Sequence, residues 1–234
     1  MDSLLRRIGF FQARAGADTH LLSFQQLMAD SLHHMPLLCN RVVPNLAPPP
    51  ADRSCMLDSL IRSRGHLQEY RSAHFHHEFL APHFSKERPN HVVEQLDQCY
   101  LQHGESHVGE PFFSGDRAVF FFETQEFASQ SLRRMFEQTL AEAAQRLPGV
   151  RNYALSHPDL EVSKSKWSYV LELEALDWKA FPTQLTQPAR WSEPALGLGL
   201  DRIASLITAS RHGYYKTDRS VIAWTPAAVA AAAH

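Results

Sequence analysis

The sequence predicts a single α/β (α+β) domain with a largely antiparallel sheet flanked by helices. The chain has 234 residues, of which 44% are hydrophobic and 21% charged. A chain of this size and composition can bury a sizeable core without a disulfide or metal staple. In some segments its apolar residues have the spacing of a helix, and in others they alternate with polar residues as in a strand. Neither a domain linker nor an internal repeat is recognisable in the sequence.

The first half of the chain predicts two helices and two strands. Residues 20–35 place large apolar side chains at helical spacing, which is typical of an amphipathic helix. The apolar residues 37–43 then form a strand that stops at Pro44, because proline lacks an amide hydrogen. Residues 66–80 alternate in part between aromatic and polar side chains and predict a half-exposed strand. Residues 89–103 suggest a helix.

The second half of the chain gives stronger signals. The aromatic segment 118–124 predicts a buried strand, and residues 126–147 a long helix that ends before a Pro-Gly pair. Residues 168–176 alternate apolar residues with glutamates, as strands do. Residues 195–210 predict a strand that enters a helix. The alanine-rich residues 227–234 are interpreted as a tail.

Charge and cysteine content exclude several classes of protein. The formal net charge of −2 does not favour a basic nucleic-acid clamp. Cys39, Cys55 and Cys99 lie far apart, which argues against a disulfide framework and a structural zinc site. No apolar run reaches the ~18 residues of a membrane span, and Asp2 with a short apolar start does not favour a secretory signal. These features predict a cytoplasmic enzyme or binding protein with no membrane partner.

One segment near the C-terminus carries a family resemblance. It reads Ala-Leu-Gly-Leu-Gly-Leu-Asp-Arg-Ile over residues 195–203, and Ser-Val-Ile-Ala-Trp follows at 220–224. This combination resembles motif 3 of the class II aminoacyl-tRNA synthetases, especially the aspartyl, asparaginyl and lysyl subgroup. The connection between the two parts is several residues longer here than in the family. The resemblance implies a synthetase-like antiparallel sheet over residues 1–226.

In such a domain the motif would bind ATP. Gly197 and Gly199 would let the nucleotide lie against the strand because they carry no side chain. Arg202 would clamp the triphosphate end of ATP with its forked guanidinium, and Asp201 would lie beside it. The segment alone also fits an ordinary strand–helix junction with Arg202 in a surface ion pair.

Residues 60–70, which read LIRSRGHLQEY, resemble the end of motif 2 of the same family. In this alignment Glu69 would face the adenine amino group, and Tyr70 would stack on the ring. Arg64 and His66 would approach the phosphates. The arginine that opens the family motif is missing, so Arg62 would take its place at the α-phosphate.

A second alignment of motif 2 remains open. It uses Tyr70-Arg71 and His77-Glu78-Phe79 with a shorter loop between them.

The helix over 20–35, the strand after it and Pro44 resemble motif 1, which implies a homodimer. Glu172 and Glu174 would then supply oxygen ligands for Mg²⁺, although alternating glutamates are also typical of a solvated strand face.

The expected function is therefore an ATP-dependent adenylate-forming ligase that activates an amino acid or a related carboxylate. Arg62 and Arg202 would be its catalytic residues, and ATP and Mg²⁺ its cofactors. The acceptor of the acyl group would be an amine, a carrier protein, a protein lysine or a tRNA. A synthetase-like protein that binds a partner without catalysis is the alternative, since motif 2 is degenerate.

A histidine-rich segment supports a further alternative, a metal-dependent hydrolase. On a strand, His74, His76 and Glu78 would share one face, where imidazoles and a carboxylate could bind Zn²⁺. His77 and His83 lie in the same segment. The spacing matches no recognised metal motif, and the chain contains 14 histidines, which favours a chance cluster.

Overall fold

The computed structural model describes residues 4–46, 54–106, 115–147, 149–175 and 201–217. They fall into two compact units. The first contains the described residues up to Leu101 together with Glu161–Ser163, and the second those of Gln102–Leu160 and Lys164–Thr217. Each unit combines antiparallel strands with helices, so the prediction of an α+β fold is confirmed. The predicted boundary between residue 226 and the tail lies outside the described residues and stays a prediction.

The first unit is a βαββαβ arrangement. Its strands are hydrogen-bonded in the order β2-β3-β1-β4, and neighbouring strands are antiparallel. This order is that of ferredoxin-like folds. Its elements are β1 (Leu5–Ala13), α1 (Asp18–Asp30), a 3₁₀ turn (Ser31–His33), β2 (Leu37–Pro44), β3 (Ser54–Ile61), α2 (Leu67–Ser72), a π-helical turn (His76–Leu80), a 3₁₀ turn (Ala81–Phe84) and β4 (Val93–Ser106).

Both faces of the first unit's sheet are buried. Phe11 of β1 packs with Phe24 and Met28 of α1 and with Tyr70 of α2 in one apolar cluster. The alternate residues of β1, such as Phe10, point to the opposite face and are also buried. A strand buried on both faces shows no polar–apolar alternation. This is why the sequence pattern did not reveal β1.

The second unit repeats the βαββαβ arrangement, with the strand order β6-β7-β5-β8. Its helix α3 begins after Ser129, whose side chain accepts a hydrogen bond from the amide of Leu132 at 3.2 Å and so caps the helix. Its elements are β5 (Gly115–Thr124), α3 (Gln130–Arg146), β6 (Val150–Pro158), β7 (Tyr169–Ala175), α4 (Asp201–Ala204) and β8 (Ile207–Thr217).

Each unit contains its own buried ion pair, and the two pairs lie at equivalent positions of the two folds, although no repeat is visible in the sequence. In the first unit Arg6 contacts Asp58, which lies opposite the residue two positions after Arg6 on β1. In the second unit Arg117 contacts Glu172, which lies opposite the residue two positions after Arg117 on β5. The same diagonal pairing of first and third strands therefore aligns β1 with β5 and β3 with β7.

Several predicted elements are confirmed and others are wrong. The helices predicted over 20–35 and 126–147 correspond to α1 and α3, and the strands over 37–43, 118–124 and 168–176 to β2, β5 and β7. Of the segment 195–210, residues before 201 lie outside the described residues.

Three predicted elements need correction. Residues 66–80 are helical turns rather than a strand, because Leu67 and Tyr70 are buried at helical spacing. Residues 93–106 form β4 rather than a helix. Residues 207–217, expected to continue a helix and a long connection, form β8 and pair with β5.

In the described part of the chain, no helix is long and apolar enough to cross a membrane.

Candidate functional site

A buried arginine lies on the helix-facing side of the first unit's sheet. Arg7 of β1 is 6% exposed. It donates hydrogen bonds from Nη1 to the Tyr70 hydroxyl oxygen and from Nε to Oε1 of Gln98, each at 2.7 Å. The ring of Phe84 lies 6.0 Å from the guanidinium carbon. Helix α2, strand β4 and the 3₁₀ turn Ala81–Phe84 therefore each contribute one contact to this cation.

Strand β4 can approach β1 closely here because Gly9 carries no side chain. Gly9 pairs with Gln98 in the register of the two strands. A Cβ atom at Gly9 would lie 2.9 Å from the Asp97 carbonyl oxygen and 2.9 Å from Cβ of Gln98. Real Cβ contacts are not this short, so glycine is required for the distance that brings Gln98 to Arg7.

The Arg7 guanidinium is charged although it is buried. Burial lowers the pKa of Arg7, but the neighbouring Tyr70 and Tyr100 outweigh this effect and raise it. Among the described residues no carboxylate forms an ion pair with Arg7. A buried cation whose hydrogen-bond partners, among the described residues, are a phenol and an amide can stabilise negative charge on a bound molecule, since the low dielectric strengthens that attraction.

His76 lies beside Tyr70 and is neutral at pH 7. The two ring centroids are 5.2 Å apart. Burial, the Arg7 charge and His77 lower the pKa of His76 to about 4. Its Nδ1 atom is buried and has no hydrogen-bond partner in the described part of the chain. A neutral imidazole with an unused nitrogen can accept a proton or a hydrogen bond from a ligand.

A cleft of about 540 Å³ opens on the helical side of the first unit, where helix α2 and the residues just before His76 contribute to its lining. The ring of Phe75 stacks on His34 at 4.7 Å and lies 5.0 Å from Phe79, so aromatic rings form part of the lining of the cleft. Such faces suit a flat aromatic molecule. The lining residues are His34, Pro36, Glu69, Ser72, Ala73, His74, Phe75 and Phe79.

Helix α2 joins the cleft to the buried cluster. Glu69 and Ser72 line the cleft, whereas Tyr70 of the same helix is 2% exposed and bonded to Arg7. His74 and Phe75 line the cleft and immediately precede His76 in the chain. We define the Arg7 cluster as Arg7, Tyr70, His76 and Gln98.

The structure places the predicted motif 2 residues in the first unit, with different contacts from those expected. Arg62 is exposed, and its backbone amide bonds to the carbonyl of Pro36. Arg64 forms an ion pair with Glu161. His66 shares a hydrogen bond of 2.8 Å with Ser63. Of this set, Glu69 is on the cleft and Tyr70 is in the Arg7 cluster.

The predicted Mg²⁺ ligands lie in the second unit and already have protein partners. Glu172 forms an ion pair with Arg117, and both side chains are completely buried. Glu174 accepts a hydrogen bond from Asn152 at 2.5 Å and lies 3.6 Å from Arg151. These contacts stabilise the sheet and leave no open pair of carboxylates for a hydrated ion.

The predicted motif 3 is described only in part. Arg202 is exposed on the short helix α4, which begins at Asp201. Gly197 and Gly199 lie outside the described residues, as do residues 220–224. The predicted ATP residues are thus divided between the two units.

The histidine-rich segment does not form the expected metal site. Its residues lie on helical turns, so His74, His76 and Glu78 do not share a strand face. Within the described residues, no group of three or more His, Cys, Asp or Glu side chains is arranged to hold a metal ion. His83 instead stacks on Phe24 at 4.9 Å in the core. The metal-hydrolase alternative therefore loses its proposed ligands.

The sequence interpretation missed Arg7 and Gln98. The signal for Arg7 was an arginine pair inside the otherwise apolar strand segment LRRIGFF. Charged residues are rarely buried without a specific reason, so such a pair marks a candidate site or a structural ion pair. Arg6 proves to be the structural partner of Asp58, and Arg7 the centre of the cluster.

No protein-family model matches the chain, and no curated protein matches it in sequence. Solved structures match its fold across almost its whole length. An anthrone oxidase-like protein has a TM-score of 0.63 and 10% identity, with 92% of this chain and 91% of that chain covered. A proposed monooxygenase from Fusobacterium nucleatum has a TM-score of 0.59 and 8% identity, with 92% of each chain covered.

A mutant chlorite dismutase from Candidatus Nitrospira defluvii is also similar, with a TM-score of 0.55 and 10% identity. This match covers 100% of this chain and 97% of that one. At such low identities the likeness shows the fold alone. The fold is thus of the kind found in these monooxygenase-like and chlorite dismutase-like proteins.

These findings correct the synthetase interpretation. The resemblance to class II synthetases is wrong, and the ligase activity, the cofactors ATP and Mg²⁺ and the amino-acid substrate with its acyl acceptor are wrong with it. The motif 1 argument for a homodimer loses its basis for the same reason. The physical cause is that Gly-Leu-Gly-Leu-Asp-Arg is a short segment, and short strand–helix junctions of this composition arise in unrelated folds.

Proposed function

We propose that the chain is an oxidoreductase that lets molecular oxygen oxidise an aromatic substrate after removal of a proton from it. The fold supports this class of reaction, because its structural neighbours include an anthrone oxidase-like protein and a proposed monooxygenase. The Arg7 cluster supports the chemistry, because it combines a proton acceptor with a buried cation.

The residues divide the reaction between them. His76, neutral at pH 7, accepts a proton from a C–H or O–H group of the substrate. Because its lowered pKa makes it a weak base, the Arg7 charge must also lower the pKa of that substrate group. The charge of Arg7 and the hydroxyl of Tyr70 stabilise the resulting anion. The aromatic faces of Phe75 and Phe79 hold the planar part of the substrate in the cleft.

Oxygen then acts on the stabilised anion. For a substrate CH₂ group, the carbon is oxidised to a carbonyl and O₂ accepts four electrons. One oxygen atom enters the product, and the other leaves as water with the two hydrogens of the CH₂ group. Anthrone contains such a group between two aromatic rings and is a suitable probe.

The observation that carries the proposal is the neutral imidazole of His76, with an unpartnered Nδ1, beside the Arg7–Tyr70 hydrogen bond. An unpartnered nitrogen in a buried place can accept a hydrogen bond or a proton from a bound molecule.

Oxygen consumption with anthrone as substrate tests the proposal. We expect a rate above that of buffer alone for the wild type, and a loss of at least about tenfold in His76→Gln, as for removal of a general base. Tyr70→Phe keeps the ring and should lose less. His33→Gln, an exposed histidine of the same unit, is the matched control.

Thermal unfolding of each variant separates loss of activity from loss of folding. The proposal is contradicted if the wild type does not accelerate oxygen uptake with any of a panel of anthrones and polyphenols. It is also contradicted if turnover occurs only after haemin is added, because the proton-abstraction route needs no redox cofactor.

A further inference from the structure

The second unit has a cleft of its own, of about 370 Å³, between α3 and the ends of β6 and β7. Gln130, Arg133 and Glu137 recur at helical spacing and present one face of α3 to it. The opposite side comes from Leu155, Ser156 and His157 at the end of β6 and from Tyr169 at the start of β7.

A hydrogen-bond network fixes the polar wall of this cleft. Oε1 of Glu137 accepts hydrogen bonds from Nε of Arg133 and from the Tyr169 hydroxyl, each at 2.9 Å. The pKa of Arg133 is raised, mainly because of its hydrogen bond to Glu137, so this guanidinium is charged. Burial and Glu137 raise the pKa of Tyr169, which is therefore a neutral hydrogen-bond donor.

The network holds Arg133 in place without using all of its donors. Glu137 takes the Nε–H, and a guanidinium has four other N–H groups in a planar fork. The guanidinium also interacts with Tyr169, and the Arg133 side chain is 40% exposed, so its remaining N–H groups are accessible to a ligand. The Gln130 amide and the His157 ring add hydrogen-bonding groups around the same space.

The charges of the cleft select the kind of anion. Glu137 compensates the charge of Arg133, so the cleft is not strongly cationic. The Glu137 carboxylate repels a dianion about twice as strongly as a monoanion, and a planar monoanion can pair with the Arg133 fork. Leu155 and the ring of Tyr169 provide apolar contact for the body of such a ligand.

We infer that this cleft is a binding site for a small aromatic or apolar carboxylate, held by the guanidinium fork of Arg133. The inference rests on the α3–β6–β7 cleft alone and does not depend on the oxidation proposed for the Arg7 cluster.

Calorimetric titration of the whole chain with benzoate tests the site. We expect saturable binding to the wild type and an affinity lower by about tenfold or more in Arg133→Gln, as for loss of a bidentate ion pair. Arg133→Lys should fall between them, because it keeps the charge and loses the fork.

Arg146→Gln is the matched control variant, since Arg146 lies on the same helix and pairs with Glu142 in an i,i+4 arrangement away from the cleft. Its benzoate affinity should equal that of the wild type. Benzyl alcohol, which has the ring without the charge, should bind more weakly than benzoate.

Three results would overturn the inference. They are the absence of saturable benzoate binding, equal affinities in wild type and Arg133→Gln, and binding of inorganic phosphate as tight as that of benzoate. Because no oxygen or turnover is involved, these results are independent of the outcome of the anthrone assay.

Discussion

Lowering the pH from 7 to 4 should destabilise the protein through His76. Burial, the Arg7 charge and His77 lower its pKa to about 4, against 6.5 for an unperturbed histidine. Between these two values the unfolded chain binds a proton at His76 and the folded chain does not. Above pH 6.5 the titration of His76 therefore does not reduce the free energy of unfolding. As the pH decreases from 6.5 towards 4, it lowers the free energy of unfolding.

The size of the effect follows from the difference between the two pKa values. Each pKa unit corresponds to about 1.4 kcal/mol, so the ceiling is roughly 3.4 kcal/mol. His76 is only half-buried, and solvent screens the charges that act on it. We therefore expect about 1 to 2 kcal/mol between pH 6.5 and 4.

Urea unfolding of wild type and His76→Gln at several pH values measures this contribution as a difference. His83 and His212 also have lowered pKa values because of burial, and the subtraction removes their share. His33→Gln, on the exposed surface, is the control and should follow the wild type. Parallel pH dependence in wild type and His76→Gln would refute the description of His76 as a neutral group held beside Arg7.

Substitutions at three further positions test how the fold supports the site. Asp58→Asn should destabilise the protein by about 3 to 5 kcal/mol in urea unfolding, because it leaves Arg6 and Arg41 buried without their shared carboxylate; a change below about 1 kcal/mol would show that this pair is not needed. Gly9→Ala should cost about 1 to 3 kcal/mol, since the new Cβ meets β4 at 2.9 Å, and an unchanged melting temperature would contradict it. Ser129→Ala should cost about 1 kcal/mol through loss of the α3 cap, while Ser129→Asp should restore the stability.

The elements that the sequence predicted well have strong local signals. The run AVFFFET and the helix that follows it combine high strand or helix propensity with clear ends. The failures have a different origin. In residues 66–80, histidines and aromatic residues alternate as in a strand, but burial of Leu67 and Tyr70 against the core requires helical turns. Tertiary packing overrides local pattern in such segments.

The candidate site was only partly accessible from the sequence. Tyr70 and Glu69 were singled out, but for contacts with adenine rather than for the contacts that the structure shows. The hydrogen-bond partner of Tyr70 is Arg7, which is 63 residues away in the chain, and Gln98 is 91 residues from Arg7. Pairings at such separations depend on strand order and register. Neither can be read from one sequence when the strands show no alternation.

The buried ion pairs help to distinguish the residues that the fold requires from the residues that form the candidate site. The Arg6–Asp58 pair in the first unit has its equivalent in the Arg117–Glu172 pair of the second. A feature that both units keep at the same place belongs to what the fold requires.

The Arg7 cluster has no such equivalent. In the alignment given by the ion pairs, Arg7 corresponds to Ala118, and Gln98 to His212, which stacks on Phe120 at 5.8 Å. The second unit thus fills the same helix-facing position with apolar and aromatic packing. A buried cation without a carboxylate partner costs free energy that this packing avoids, so its presence at this position of the first unit is explained by a role in binding or chemistry rather than by folding. The duplicated fold therefore has one site of this kind in the described part of the chain, and one equivalent of substrate analogue per chain should saturate it.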